Sequence, residues 1–479
     1  MLKRHYEERD ERAGLPQLRA LATQAFSRAA GAPLVHGNRV RLLEDARENY
    51  PAWLEAIRAA RRHVHFEMYF IDEDDSGWEF ADALIGKARE GVPVRLVYDW
   101  MGGFRRATRG FWNALRKGGV EVRCYNPMRP QSPLGWLSRD HRKLLAVDGG
   151  VGFISGLCVG LGWVGAPSRG VEPWRDTGIE IRGPAVADVE RAFAGTWEAC
   201  GEPIAAGEPL GSPPAAGEVS LRIVASEPAT AGMLRLDQFV AALARQRLWL
   251  TDAYYVGTPS YVQALRAAAR DHVDVRLLVP NSTDIPLLRP LSRAGYRLLL
   301  EAGVRVFEWN GTMLHAKTAV ADGHWARVGS TNLNVASWFG NRELDAVIED
   351  DTFARQMEQM YVDDLGNATE VVLDRRRKLS ALGEPRHPHP ARGSGGSTSQ
   401  AAAGAMRIGN AVGAAFTDRR VLEPIEARLA ITTGLLLCAV SMLVAFIPQA
   451  LAFPLVALGA WGGLALLYKG YELRRRQKD

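Results

Sequence analysis

Two nine-residue stretches could do chemistry together. "HRKLLAVDG" begins at His141 and "HAKTAVADG" at His315, so the spacing His-x-Lys-x-x-x-x-Asp occurs twice, as His141, Lys143, Asp148 and as His315, Lys317, Asp322. With 10 histidines and 8 lysines in 479 residues, one such match has roughly one chance in a hundred of arising by accident. Two matches at equivalent places are far less probable. Arginine outnumbers lysine 51 to 8, yet both stretches carry lysine, a compact point charge rather than a planar fork. Within each stretch His and Lys are two apart, which on a strand turns both side chains to one face. The apolar residues that follow suit a buried strand, and Asp-Gly marks the turn at its end. Two imidazoles and two ammonium groups around one spot lack the carboxylates of a metal site and suit a phosphate. They also supply what phosphodiester exchange requires: a nucleophile, an acid for the leaving alcohol and fixed positive charge.

The elements that must position these residues read as a duplication. "AIRAARRHVHFEMYFI" (56–71) has a counterpart in "ALARQRLWLTDAYYV" (242–256), each a helix end followed by a strand closing on adjacent aromatics. "GWEFADALIGKAREGVPVRLVYD" (77–99) parallels "SYVQALRAAARDHVDVRLLVP" (260–280), and "GFWNALRKGGVEVRCYNP" (110–127) parallels "AGYRLLLEAGVRVFEWNG" (294–311). The apolar spacing predicts alternating helices and strands in each copy, hence an α/β fold of two similar halves about a pseudo-twofold axis. The expected divisions are an N-terminal helical segment (1–35), a first half (36–205), a second half (218–375), a linker with a possible interfacial helix (376–427), two transmembrane helices (428–468) and a basic tail (469–479).

The membrane expectation rests on residues 429–468, forty residues without a charge, interrupted by Pro448 and Pro454. Each of the two resulting segments is long enough to cross a hydrocarbon core of about 30 Å. Basic residues flank the run on both sides and none lies in the turn between, so both ends are expected in the cytoplasm, and the catalytic part with them. "EPRHPHPARGSGGSTSQAAAGA" (384–405) reads as a flexible linker. The charged N-terminus lacks the apolar core of a secretory signal. Apolar content of 47 % and charged content of 24 % exclude global disorder. Four cysteines without C-x-x-C spacing argue against a disulfide scaffold or a zinc module. A net charge of +5 suits an anionic surface or a phosphate-bearing substrate.

With these motifs in view, residues 36–375 resemble the phospholipase D superfamily, and within it bacterial cardiolipin synthases. The second copy is followed by "GSTN", with Ser330 and Asn332 at the family's phosphate-binding positions, and by "NREL", with Asn341 and with Glu343 as an acidic partner that orients an imidazole. In the first half, "WRDTGIEIRGPAV" (174–186) is similar to the cardiolipin synthase segment, with Asp176 in the orienting position. One departure stands out: the first copy is followed by "SGLC", so Cys158 occupies the place of an expected asparagine, and a thiol is a poor amide substitute.

The resemblance implies a cofactor-free, metal-free exchange. His141 attacks phosphorus to form a phosphohistidine, and His315 protonates the leaving alcohol and then deprotonates the incoming one. Lys143, Lys317 and Asn332 stabilise charge on the phosphoryl oxygens, while Asp148 and Asp322 brace the lysines or the turns. Its substrate is the anionic phospholipid phosphatidylglycerol, with phosphatidylglycerol or phosphatidylethanolamine as the second lipid and cardiolipin as product. Alternatives are a phospholipase D hydrolase, a nuclease or other phosphodiesterase, and a silent lipid-binding protein. Nucleic acid is not the expected partner, because residues 36–375 lack a basic tract interleaved with stacking aromatics. Three loops near the motifs carry Trp136, Trp163 and Trp338, which are candidates for entering the lipid interface. Oligomeric state is not legible.

Overall fold

A computed structural model describes residues 23–373, apart from 129–137, 167, 169, 206–212, 283 and 285–287, together with 379–381 and a few positions between 456 and 464. In the first half the strands are β1 (Val35–Glu44), β2 (Val64–Met68), β3 (Val94–Asp99), β4 (Glu121–Tyr125), β5 (Leu144–Val147), β6 (Val151–Ser155) and β7 (Thr177–Arg182). The second half repeats them as β8 (Val219–Ser226), β9 (Arg247–Thr251), β10 (Asp274–Pro280), β11 (Arg305–Trp309), β12 (Thr318–Ala321), β13 (Trp325–Gly329) and β14 (Glu343–Glu349), followed by β15 (Ala368–Leu373) and β16 (Leu379–Ala381). All pair into one sheet of order β16-β15-β11-β10-β9-β12-β13-β14-β8-β1-β7-β6-β5-β2-β3-β4. Outward from the antiparallel β8·β1 junction, the two directions run through equivalent strands in the same sequence. That is the arrangement two duplicated α/β halves produce when related by a twofold rotation.

Helices Asp75–Arg89 and Pro259–Arg270 connect β2 to β3 and β9 to β10, and both pairs are parallel, as a helical crossover requires. The sheet curls so that β13 and β14 lie against β6 and β7. Helices Val186–Ala199 and Asp351–Leu365 fill the space between through residues such as Phe193, Trp197, Phe353 and Met357, in a core that both halves share. β5 and β12 are therefore covered on both faces, which explains why Leu144 to Val147 and Thr318 to Ala321 are all buried instead of alternating.

Each of these strands ends in a turn whose Asp and Gly take positive φ: Asp148 (57°) with Gly149 (64°), and Asp322 (50°) with Gly323 (67°). Asp148 accepts backbone N–H bonds from Arg61, Arg62 and His63 at 2.7–2.9 Å, and Asp322 from Arg245, Gln246 and Arg247 at 2.8–2.9 Å. Both aspartates thus brace the entry to the neighbouring strand, at the far end of β5 and β12 from the histidines. Among the described residues no helix is long and apolar enough to cross a membrane. The uncharged run 429–468 lies almost wholly outside them, as do residues 1–22, the linker 384–405 and Trp136.

Candidate active site

His141, Lys143, His315 and Lys317 do not sit in strands, as the two-residue spacing suggested, but in extended segments just ahead of β5 and β12. Those segments bridge to the opposite half. The N–H of His141 donates to the carbonyl of Arg342 at 2.9 Å, and that of His315 to Arg175 at 2.7 Å, each part of a short parallel bridge. Arg342 and Arg175 directly precede the carboxylate residues, so each bridge fixes a histidine of one half beside a carboxylate of the other. Nδ1 of His141 lies 2.9 Å from Glu343, and Nδ1 of His315 lies 2.7 Å from Asp176. A carboxylate at Nδ1 sets the tautomer and leaves Nε2 for chemistry. His141 and His315 share the lining of one cavity of about 540 Å³ with Lys143 and Cys158.

The lysines return to their own histidines. Lys143 Nζ donates to the carbonyl of His141 at 2.6 Å, and Lys317 Nζ to that of His315, with the His315 ring nitrogens at 2.9 and 3.0 Å. Aromatic rings wall both sites. Tyr69 stands edge-on to His141 at 5.0 Å, and Tyr254, Trp163 and Trp174 surround His315 at 5.4–5.7 Å. Burial in this wall pushes the imidazole pKa of His141 down to about 4 and that of His315 to about 3, against the opposing pull of their carboxylates. Burial also lowers Lys317 to about 8. Both imidazoles are therefore neutral at pH 7 in the empty cleft, as a nucleophile requires. An arriving phosphodiester anion favours protonation of the second one.

The carboxylates are held differently in the two halves. Glu343 accepts from Ser330 Oγ at 2.6 Å and from Asn341 Nδ2 at 3.0 Å. Asp176 accepts from Trp163 Nε1 at 2.9 Å and from the Thr177 N–H at 2.8 Å. Ser330, expected at the phosphate, is thus committed to Glu343. Asn332 is buried with Oδ1 unpartnered among the described residues and Nδ2 3.5 Å from Ser337. Cys158 lines the cavity, and burial raises its thiol pKa although both lysines oppose this, so it stays neutral.

Trp163 and Trp338, candidates for the lipid interface, are both buried. The first holds Asp176, and the second packs edge-on against Tyr261 at 5.4 Å. Sequence reasoning missed Arg142, the filler inside the first motif. Fully buried, it donates to the carbonyls of Glu343, Ala192 and Ser226 at 2.8–3.1 Å, joining both halves beneath His141. A lone Arg within an H-x-K spacing carries no periodic signal that would have found it.

One group with metal-type donors exists among the described residues: His63, His65 and Glu190. Glu190 takes a hydrogen bond from each imidazole, at 2.8 and 2.5 Å. Arg95 can only donate, and it meets Nε2 of His65 at 3.3 Å, so the proton sits on Nδ1, the atom a metal would need. The group fits a hydrogen-bonded brace better than a cation site.

The comparisons agree with this architecture. The family described as "Cardiolipin synthase, PLD-like domain" matches residues 53–197 and 241–364. A cardiolipin synthase of Alkalihalophilus pseudofirmus is 32 % identical over 71 % of this chain and 68 % of its own. A cardiolipin synthase A of Pseudomonas fluorescens is 32 % identical over 75 % of each chain. In fold, the chain is similar to phosphatidylserine synthase of Haemophilus influenzae, with a TM-score of 0.58 at 13 % identity over 72 % of this chain and 91 % of that one. The chain belongs to the phospholipase D superfamily, in its cardiolipin synthase-type family, and is a phospholipid phosphatidyltransferase.

Proposed function

We propose that the protein makes cardiolipin by moving the phosphatidyl group of a donor lipid, phosphatidylglycerol or phosphatidylethanolamine, onto the glycerol hydroxyl of a phosphatidylglycerol. The observation that carries this reading is the crossed pairing of His141 with Glu343 and His315 with Asp176 around one cleft. His141 Nε2 attacks phosphorus, forming the N–P bond while the P–O bond to the departing glycerol or ethanolamine breaks, and His315 gives that oxygen its proton. The incoming hydroxyl then gives its proton to His315 and displaces His141. Lys143 and Lys317 neutralise charge on the non-bridging oxygens, joined in this reading by the amide N–H of Asn332.

In this reading residues 36–205 and 218–375 form the catalytic body. The linker 376–427 ties it to a two-helix hairpin at 428–468, which holds the body on the cytoplasmic face of the inner membrane. The 40-residue uncharged run and its basic flanks support that placement. Purified full-length protein incubated with phosphatidylglycerol should release glycerol and form cardiolipin. Phosphatidic acid as the only product would make it a hydrolase instead.

A further inference from the structure

The loop after β3, residues 100–106, reaches the same cavity and is built with unusual rigidity. Asp99 Oδ1 accepts the N–H groups of Met101 and Gly102, both at 2.9 Å, and its carbonyl accepts that of Gly103 at 2.8 Å. The other oxygen of Asp99 accepts the N–H of Asp140 at 2.9 Å, which bolts the loop to the residue preceding His141. Neither glycine has room for a side chain: a Cβ on Gly102 would come within 2.7 Å of the Tyr69 ring, and one on Gly103 within 2.9 Å of Tyr98. What this frame presents at the cavity is Phe104, Arg105 and Arg106. Arg106 is paired with Asp72 at 3.2 Å and lies 4.3 Å over the Phe70 ring. Phe70 in turn stands 5.6 Å from Trp163, the wall of His315. Arg105 is exposed, makes no ion pair with a described residue, and is held at φ 61°, a conformation that a long side chain seldom adopts. The other carboxylate at the cavity, Asp284, accepts from Tyr254 at 2.9 Å.

Resting on the phosphatidyltransfer reading, we propose that Arg105 binds the second, non-reacting phosphate of the lipid that attacks. The two lysines serve the phosphorus undergoing substitution. An acceptor that is itself a phosphodiester brings another anion one glycerol unit away, and such an anion needs its own cation. Arg105, exposed on the lining of the same cavity as His315, supplies this. Water and small alcohols carry no such group, so Arg105 selects a lipid acceptor over them.

The test uses full-length protein in mixed micelles of phosphatidylglycerol with ethanol present, and reads the ratio of cardiolipin to phosphatidylethanol. In Arg105→Ala the ratio should fall roughly tenfold to a hundredfold, the range expected for a lost charge-assisted contact. Arg105→Gly, which suits the positive φ, should do the same, and Arg105→Lys should recover part of it. Arg109→Ala, an exposed arginine outside the cavity, should leave the ratio unchanged. An unchanged ratio in Arg105→Ala would overturn the proposal. So would an equal fall of both products in step with weaker binding to phosphatidylglycerol vesicles, which would make Arg105 a surface anchor. A wild type that forms neither product would overturn the phosphatidyltransfer reading and this role with it.

Discussion

Gly156→Ala should disable the site without touching any group that contacts substrate. Gly156 aligns with Ser330 of the second half, but it faces Asp176 with no space to spare. A Cβ there would stand 2.9 Å from Cγ of Asp176 and 3.0 Å from Oδ2, and closer still to Oδ1. The carboxylate cannot retreat freely, because Trp163, Thr177 and His315 hold it at 2.9, 2.8 and 2.7 Å. Overpacking a buried position typically costs about 1–3 kcal/mol, and each hydrogen bond lost from a charged acceptor adds about 1.5–3 kcal/mol. A shift of about 1 Å in a positioning group lowers a rate by roughly a hundredfold. The expected result is a folded protein, less stable in urea by a few kcal/mol, with kcat for lipid transfer down about a hundredfold and KM little changed. Gly150→Ala is the control, since the nearest atom to its Cβ is a carbonyl at 4.0 Å. Wild-type kcat in Gly156→Ala would refute the claim that Asp176 positions His315.

The pH dependence follows from the buried imidazoles and from Lys317. With His141 near 4, the acid limb of kcat/KM should lie well below pH 6.5, near pH 4, where the nucleophile is protonated; His315, near 3 before substrate binds, gains the acid's proton with the arriving phosphodiester, so kcat/KM declines above that limb. In kcat, read with the phosphodiester bound and His315 protonated, activity should fall as pH rises through about 8, where Lys317 loses its charge, and Lys317→Arg should move that limb upward. An acid limb at 6.5 would contradict the burial argument. Arg142→Ala leaves three buried carbonyls without their donor, and should lower unfolding stability by roughly 3 kcal/mol in urea titration. A change under 0.5 kcal/mol would show that Arg142 does not join the halves.

Much of the architecture was legible because duplication writes each element twice. The β2/β9 and β3/β10 strands and the Asp-Gly turns lie where spacing and periodicity put them, whereas both His/Lys pairs fall just ahead of the strands the spacing assigned them to. The crossed pairing was less accessible, since the partners are 202 and 139 residues apart and nothing local says which carboxylate meets which imidazole. The resemblance supplied Asp176 and Glu343 as orienting groups, and the geometry assigned their partners. Ser330 shows the reverse case: its position in "GSTN" suggested the phosphate, whereas its hydroxyl is spent on Glu343. Trp163 in "GLGWVG" gave a pattern equally compatible with an interface anchor and a packed ring, and its indole N–H on Asp176 decides between them. The extended setting of His141 and His315 was hidden for a similar reason. Their backbone N–H groups pair with Arg342 and Arg175 of the other half, so the pairing that ends each strand early is long-range.

The most direct test of the crossed two-histidine site is trapping of the covalent intermediate. Protein incubated briefly with phosphatidylglycerol labelled in the phosphate, then denatured in alkali, should retain label in the wild type and in His315→Ala assayed with an activated donor bearing a good leaving group. No label should remain in His141→Ala. Label retained in His141→Ala and lost in His315→Ala would exchange the two roles. Absence of label from all three under turnover would contradict a phosphohistidine at this cleft.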